Sequence, residues 1–259
     1  LPILPDKKTV RGAEIWAQKY NAKPSRYASE IACELFSNSI LKGIVSHINE
    51  ASIYDAVWEV NEAIGKYNKK HFPFPDYLVN DEAACQLACA VISNTSLFYG
   101  FLCAAGIAVI NNKGKLVHKT PDEYWSNDAD RHAFLKRAGL SLFSGAHGVW
   151  EEPETRFILR SFYRNTQRPG SYGVLTGDPT AVEKFFRTGR YILNQGDTVV
   201  VYTDGAAELI FKNHLKSSAT LKEEVVYLFR NHDFKGLEEY LQLNVKSEGT
   251  LAYYAVKKN

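Results

Sequence analysis

The chain has 259 residues, 45% apolar and 23% charged, with a formal net charge of +2. This is the make-up of a soluble globular protein with room for a sizeable core, and it gives no electrostatic reason to expect nucleic acid or a membrane as partner. No apolar run approaches a membrane span, no signal peptide is visible at Leu1, and the four cysteines form no C-x-x-C pair, so one cytoplasmic domain over 1–259, without zinc or disulfides, is expected.

Leu1 to Val10 carries two prolines and three charges and reads as an irregular or edge segment. Pro24 and Ser25 mark a helix start, with Tyr27, Ile31 and Leu35 at four-residue spacing; this helix is expected to reach about Ile48, loosened near Gly43. Ser52 starts a second helix, in which Ile53, Val57, Val60, Ile64 and Tyr67 make one apolar face. Phe72-Pro73-Phe74-Pro75 ends it in a loop. From Ala84, the apolar runs ACQLACAVIS, SLFYGFLC, GIAVINN and KLVHK are separated by Ser93-Asn94-Thr95 and Asn112-Lys113-Gly114, which predicts an antiparallel meander.

Pro121 to about Glu154 reads as loops with a short helix near His132–Arg137. Arg156–Arg164 alternates and reads as a strand. Arg156, Arg160, Arg164 and Arg168 recur at spacing four. Their plain reading is a solvated edge, and their functional reading is a docking surface for an acidic or phosphorylated partner. SYGVLTGDP follows, then a short helix over Thr180–Arg187.

Gln195-Gly196-Asp197 is a turn, and Thr198–Thr203 reads TVVVYT, the pattern of a buried strand. Asp204-Gly205 ends it, and AAELIFKN after it has helix-forming composition. A carboxylate at the end of a buried strand is held rigidly, and hard cations such as Mg²⁺ or Mn²⁺ take such an oxygen ligand. Equally, Asp204 can simply cap the next helix. Thr220 with Glu223 reads as a capping box for a helix to about Asn231. Phe234–Leu243 is a further helix, and LAYYAV a closing strand. The tight turns leave no room for crossover helices, so the pattern is α+β, with two antiparallel sheets face to face and helices outside. There is no P-loop, G-x-S-x-G, H-E-x-x-H or dinucleotide glycine fingerprint.

GDTVVVYTDGAAEL resembles the strand-Asp-Gly segment of the metal-dependent protein phosphatases of type 2C, including the bacterial sporulation-type branch. WAQKYNAKPSRYASEIACEL resembles the helix after that family's first metal motif, and the Ala84–Lys119 runs its paired central strands. SYGVLTGDP resembles the loop before its last metal-bearing strand, and SEGTLAYYAV its closing strand. The likeness keeps this order over most of residues 11–259. It implies a four-layer αββα sandwich and a two-metal centre, Mn²⁺ or Mg²⁺, that hydrolyses phosphoserine or phosphothreonine.

The resemblance places a metal ligand at Asp204. The family's Asp-Gly-x-Gly-Gly falls on Arg11-Gly12-Ala13-Glu14-Ile15, which keeps Gly12 and sets Arg11 in place of the bridging acid. Its Gly-Asp falls on Cys103-Ala104. Its Asp-Asn-x-Thr falls on Ser247-Glu248-Gly249-Thr250, where Glu248 can substitute. Two divalent cations roughly 3.5–4 Å apart repel strongly and need several carboxylates, so the resemblance implies a phosphatase fold with a depleted centre. Two functions stay open. One is a serine/threonine phosphatase with metal at Asp204, Gly12 and Glu248. The other is a pseudophosphatase that binds a phosphorylated or regulatory protein partner, with Arg11 holding phosphate without metal.

Overall fold

The computed structural model describes residues 24–43, 48–75, 77, 82–124, 128–140, 153–213, 219–244 and 250–256. They fall into two compact units. One draws on Leu1–Val45, Asp55–Gln86 and Asn127–Phe186, the other on Ser46–Tyr54, Leu87–Ser126 and Arg187–Asn259.

The second unit holds two antiparallel sheets. Strands β1 (Leu87–Ser93), β2 (Ser96–Leu102) and β5 (Arg187–Ile192) form one, in the order β1-β2-β5. Strands β3 (Gly106–Ile110), β4 (Leu116–Lys119), β6 (Thr198–Tyr202) and β9 (Leu251–Ala255) form the other, in the order β4-β3-β6-β9. The sheets meet through Leu97, Tyr99 and Phe101 on one side and Ile107, Val109 and Val199 on the other. The opposite face of the four-stranded sheet carries Ala108, Ile110, Val200 and Tyr202. These pack on helices α5 (Asp204–Ile210), α6 (Glu223–Arg230) and α7 (Phe234–Asn244). Successive side chains of a strand point to opposite faces, so a strand covered on both must be apolar throughout. That is why β6 reads TVVVY without a break. Full burial of each valine is worth about 1.5–2 kcal/mol.

The β1–β2 and β3–β4 hairpins form at the predicted turns, Asn94 at φ 56° and Gly114 at φ 70°. They do not continue into one meander. The chain changes sheet at Cys103-Ala104-Ala105, so β3 pairs with β4 and β6 rather than with β2. Strand β5 was not foreseen. Its RTGRYI composition is poor for a strand, but it is a half-exposed edge, which asks less of propensity. The predicted helix over Thr180–Arg187 ends in a wide turn at Ala181–Phe185, and Arg187 opens β5. Thr220 lies in a two-residue strand, β8 (Thr220–Leu221), paired with β7 (Phe211–Lys212). Helix α6 starts after Lys222 with no side-chain cap bond, so the S/T-x-x-E pattern is not a capping box here.

Helix α1, within the first unit, spans Pro24–Gly43 and stops short of the predicted Ile48, which belongs to the Ser46–Tyr54 piece of the second unit. Ile48 and Asn49 are not helical. Asn49 Oδ1 accepts the Ser52 N–H at 3.0 Å, capping α2 (Glu50–His71) two residues before its predicted start. Val57, Val60 and Ile64 are fully buried, as their spacing predicts. Helix α3 is Asp128–Arg137. Arg156–Arg164 is helical, contrary to the strand reading. Helix α4 (Pro153–Ile158) runs into a wide turn, Leu159–Tyr163, closed by the Arg164 N–H on the Leu159 C=O at 3.0 Å. Thr155, Ile158, Leu159 and Tyr163 are buried at i, i+3, i+4 and i+8, the spacing of one helical face. The arginine series is not a solvated edge throughout: Arg164 is buried and Arg156 Nε donates to the Tyr77 C=O at 3.0 Å, while Arg168 is exposed. Among the described residues no helix is long and apolar enough to cross a membrane.

Candidate functional site

Strand β6 delivers Asp204 to the end of the four-stranded sheet. Thr203 leaves the strand at φ −93°, ψ 169° and becomes the N-cap of α5, without a side-chain cap bond of its own. Its hydroxyl accepts the Thr250 N–H at 2.9 Å, and its own N–H donates to the Thr250 C=O at 3.1 Å. The junction is thereby tied to the residue before β9. Asp204 is half-buried in the first turn of α5, and its Oδ1 accepts the Gly205 N–H at 2.9 Å. An acid there is favoured by the helix dipole by about 0.3–1 kcal/mol. The carboxylate is thus held at a strand end, but the cap position belongs to Thr203, so Asp204 is a first-turn residue of the helix rather than its cap.

The segment matched to the family's Gly-Asp leads into the neighbouring strand, β3. Strands β3 and β6 pair as Gly106↔Tyr202, and two residues further out on the two chains stand Ala104 and Asp204. Cys103 adopts φ 70°, a left-handed conformation that costs a side-chain-bearing residue about 1–2 kcal/mol. Glycine would be at ease there. The acid expected next to it is a buried alanine methyl. The Cys103 C=O accepts the Glu123 N–H at 3.2 Å. Burial raises the Glu123 carboxyl pKa and the Arg187 guanidinium, 3.2 Å away, lowers it. Asp122 is buried, with Oδ1 accepting the Tyr124 N–H at 3.1 Å. Among the described residues no group of three or more His, Cys, Asp or Glu side chains is placed to hold a metal ion. Arg11, Gly12, Glu14, Ser247 and Glu248 lie outside the described residues, so of the predicted ligands only Asp204 has a described position.

In the first unit, sequence reasoning missed three asparagines that fix the SYGVLTGDP segment. Asn61 donates to the Asp178 C=O at 2.9 Å and accepts the Gly177 N–H at 2.9 Å. Asn68 donates to the Thr176 and Ala83 C=O groups, both at 2.8 Å, and accepts the Ala83 N–H at 2.8 Å. Asn165 donates to the Val174 C=O at 2.9 Å. Helix and loop also touch backbone to backbone: a Cβ on Gly177 would lie 2.1 Å from the Gly65 Cα. The available signal was Asn61 and Asn68, seven residues apart on the apolar stripe of α2. Polar groups buried there must be hydrogen-bonded to something.

No family model matches the chain, and no curated protein sequence does. Solved structures do. The catalytic domain of the serine/threonine protein phosphatase PstP, in complex with two manganese ions, aligns at TM-score 0.51 and 14% identity over 88% of this chain and 82% of that one. The Mycobacterium tuberculosis phosphatase PstP/Ppp aligns at 0.51 and 16% over 90% and 83%. A C. elegans sex determining protein aligns at 0.50 and 12% over 88% of this chain and 53% of its own. At such identities the likeness is one of fold, and the chain has the α+β, antiparallel-sheet fold of the type 2C metal-dependent serine/threonine phosphatases.

Proposed function

We propose that the chain, as one phosphatase-like domain over 1–259, is a pseudophosphatase of the cytoplasm that binds a phosphorylated or regulatory protein partner without hydrolysing it. The observation that carries this reading is the pair Ala104 and Asp204. The backbone at Cys103 is left-handed, where glycine is at ease, and a methyl group follows where the resemblance expects a metal-bearing carboxylate. Asp204, moreover, already accepts the Gly205 N–H. A single carboxylate does not offset the repulsion between two adjacent divalent cations.

Arg11 replaces the bridging acid and offers a planar fork of donors to a phosphate, by paired charge-assisted bonds that need no metal. Phosphopeptide binding then survives chelator and weakens in Arg11→Ala. Binding that vanishes with chelator, or that Arg11→Ala leaves untouched, counts against this reading. A second reading is favoured by one observation, the position of Asp204 at a rigid strand end in a fold shared with a manganese-holding phosphatase domain. On it, Asp204, Gly12 and Glu248 hold Mn²⁺ or Mg²⁺, and the chain is a serine/threonine phosphatase.

A further inference from the structure

We infer that a cleft in the first unit, between the C-terminal half of α2 and the wide turn after α4, is a phosphomonoester-binding site. The cleft has a volume of about 320 Å³, and Lys69, Arg160 and Arg164 line it together. That is room for a phosphate and the side chain that carries it.

Its walls are pre-set. Arg164 has only 6% of its side chain exposed, pairs with Glu82 at 3.2 Å and lies over the Tyr77 ring at 5.4 Å. Asn68 and Asn165 in the lining are locked to backbone groups on either side. Two carboxylates share the lining, and both are engaged. Glu82 Oε1 takes Arg164 and the Tyr77 hydroxyl at 3.1 Å, and Asp178 Oδ1 accepts the Thr180 N–H at 2.9 Å. Among the described lining residues, three cations stand against two carboxylates, a net positive count. Arginine forks match phosphate oxygens in pairs, and Lys69 adds a point charge from α2. Phe72, Pro73 and Pro75 complete the lining with apolar surface suited to the residues flanking a phosphoserine. That the phosphate comes from a phosphoprotein rests on the reading of the chain as a binding module; the anion site rests on the cleft alone.

The test titrates the full chain, in chelator, with inorganic phosphate, with a phosphoserine peptide and with its unphosphorylated twin. Arg160→Gln, Lys69→Gln and Arg11→Ala are the variants, and Lys235→Gln on α7 is the control; thermal melting reports folding of each. The site predicts binding of phosphate and phosphopeptide but not of the twin. Affinity falls by about tenfold or more in Arg160→Gln, the worth of a lost bond to a charged group, and less in Lys69→Gln. A phosphopeptide bound more tightly than inorganic phosphate supports a phosphoprotein source; equal affinities support the free ion at the same site. No phosphate binding by the parent overturns the proposal, as does unchanged affinity in the folded Lys69→Gln and Arg160→Gln variants. So does a loss confined to Arg11→Ala, which would put the phosphate elsewhere.

Discussion

Replacing Asn68 by alanine removes the side chain that holds two distant backbone segments to α2. Asn68 is 5% exposed, and it makes three bonds of 2.8 Å: to the Ala83 C=O, to the Thr176 C=O and from the Ala83 N–H. At about 1 kcal/mol net for each bond, the loss is about 3 kcal/mol. It is larger where the three stranded backbone groups stay out of reach of water, because each then bears its desolvation penalty. Asn68→Asp keeps the acceptor for Ala83 but turns an oxygen toward two carbonyls, so it destabilises at neutral pH and less in acid, where the protonated carboxyl can donate again. The control is Asn231→Ala, an exposed site whose amide donates to the Tyr227 C=O, with an expected change within about 0.5 kcal/mol. Urea unfolding at constant slope measures all three. A loss below about 1 kcal/mol for Asn68→Ala, no greater than for Asn231→Ala, would refute the claim that this side chain anchors the loop.

Asp197→Ala takes the buried carboxylate from the Asn194 N–H, 2.8 Å away, in the turn that aims β6; the expected loss is about 1–2 kcal/mol in the same assay. His118 sits between the Tyr99 and Tyr191 rings at 5.2 and 5.1 Å, and burial lowers its pKa below the ordinary 6.5. The unfolded chain therefore binds its proton first as pH falls. This part of the stability is whole above pH 6.5 and declines from there toward the lower folded-state value. His118→Phe flattens that decline in urea midpoints taken from neutral to acid pH, and an unchanged slope would contradict the assignment.

What was legible in the chain was what local pattern enforces. TVVVY could be read because both its faces are buried, and the apolar stripe of α2 because one face is. The crossing at Cys103 could not, because neither glycine nor proline marks it. Arg156–Arg164 was misread because its arginines mimic alternation while Ile158 and Leu159 obey a helical period. The place of Asp204, after the strand and at the head of a helix, was legible because strand-Asp-Gly is a local signature. Asn68 was not, because its partners stand 15 and 108 residues away in sequence. The arginines drew notice by spacing alone. The burial of Arg164 depends on Tyr77 and Glu82, far off along the chain.

The most direct measurement is turnover of a small aryl phosphate by the full chain with and without added Mn²⁺. A two-metal centre makes its own nucleophile from bound water, so an intact one hydrolyses this substrate with strict dependence on the metal. With Ala104 where the family has a carboxylate, the expected result is background hydrolysis at every Mn²⁺ concentration, unchanged in Asp204→Asn. Robust Mn²⁺-dependent turnover that Asp204→Asn abolishes would contradict the account and establish the chain as a phosphatase.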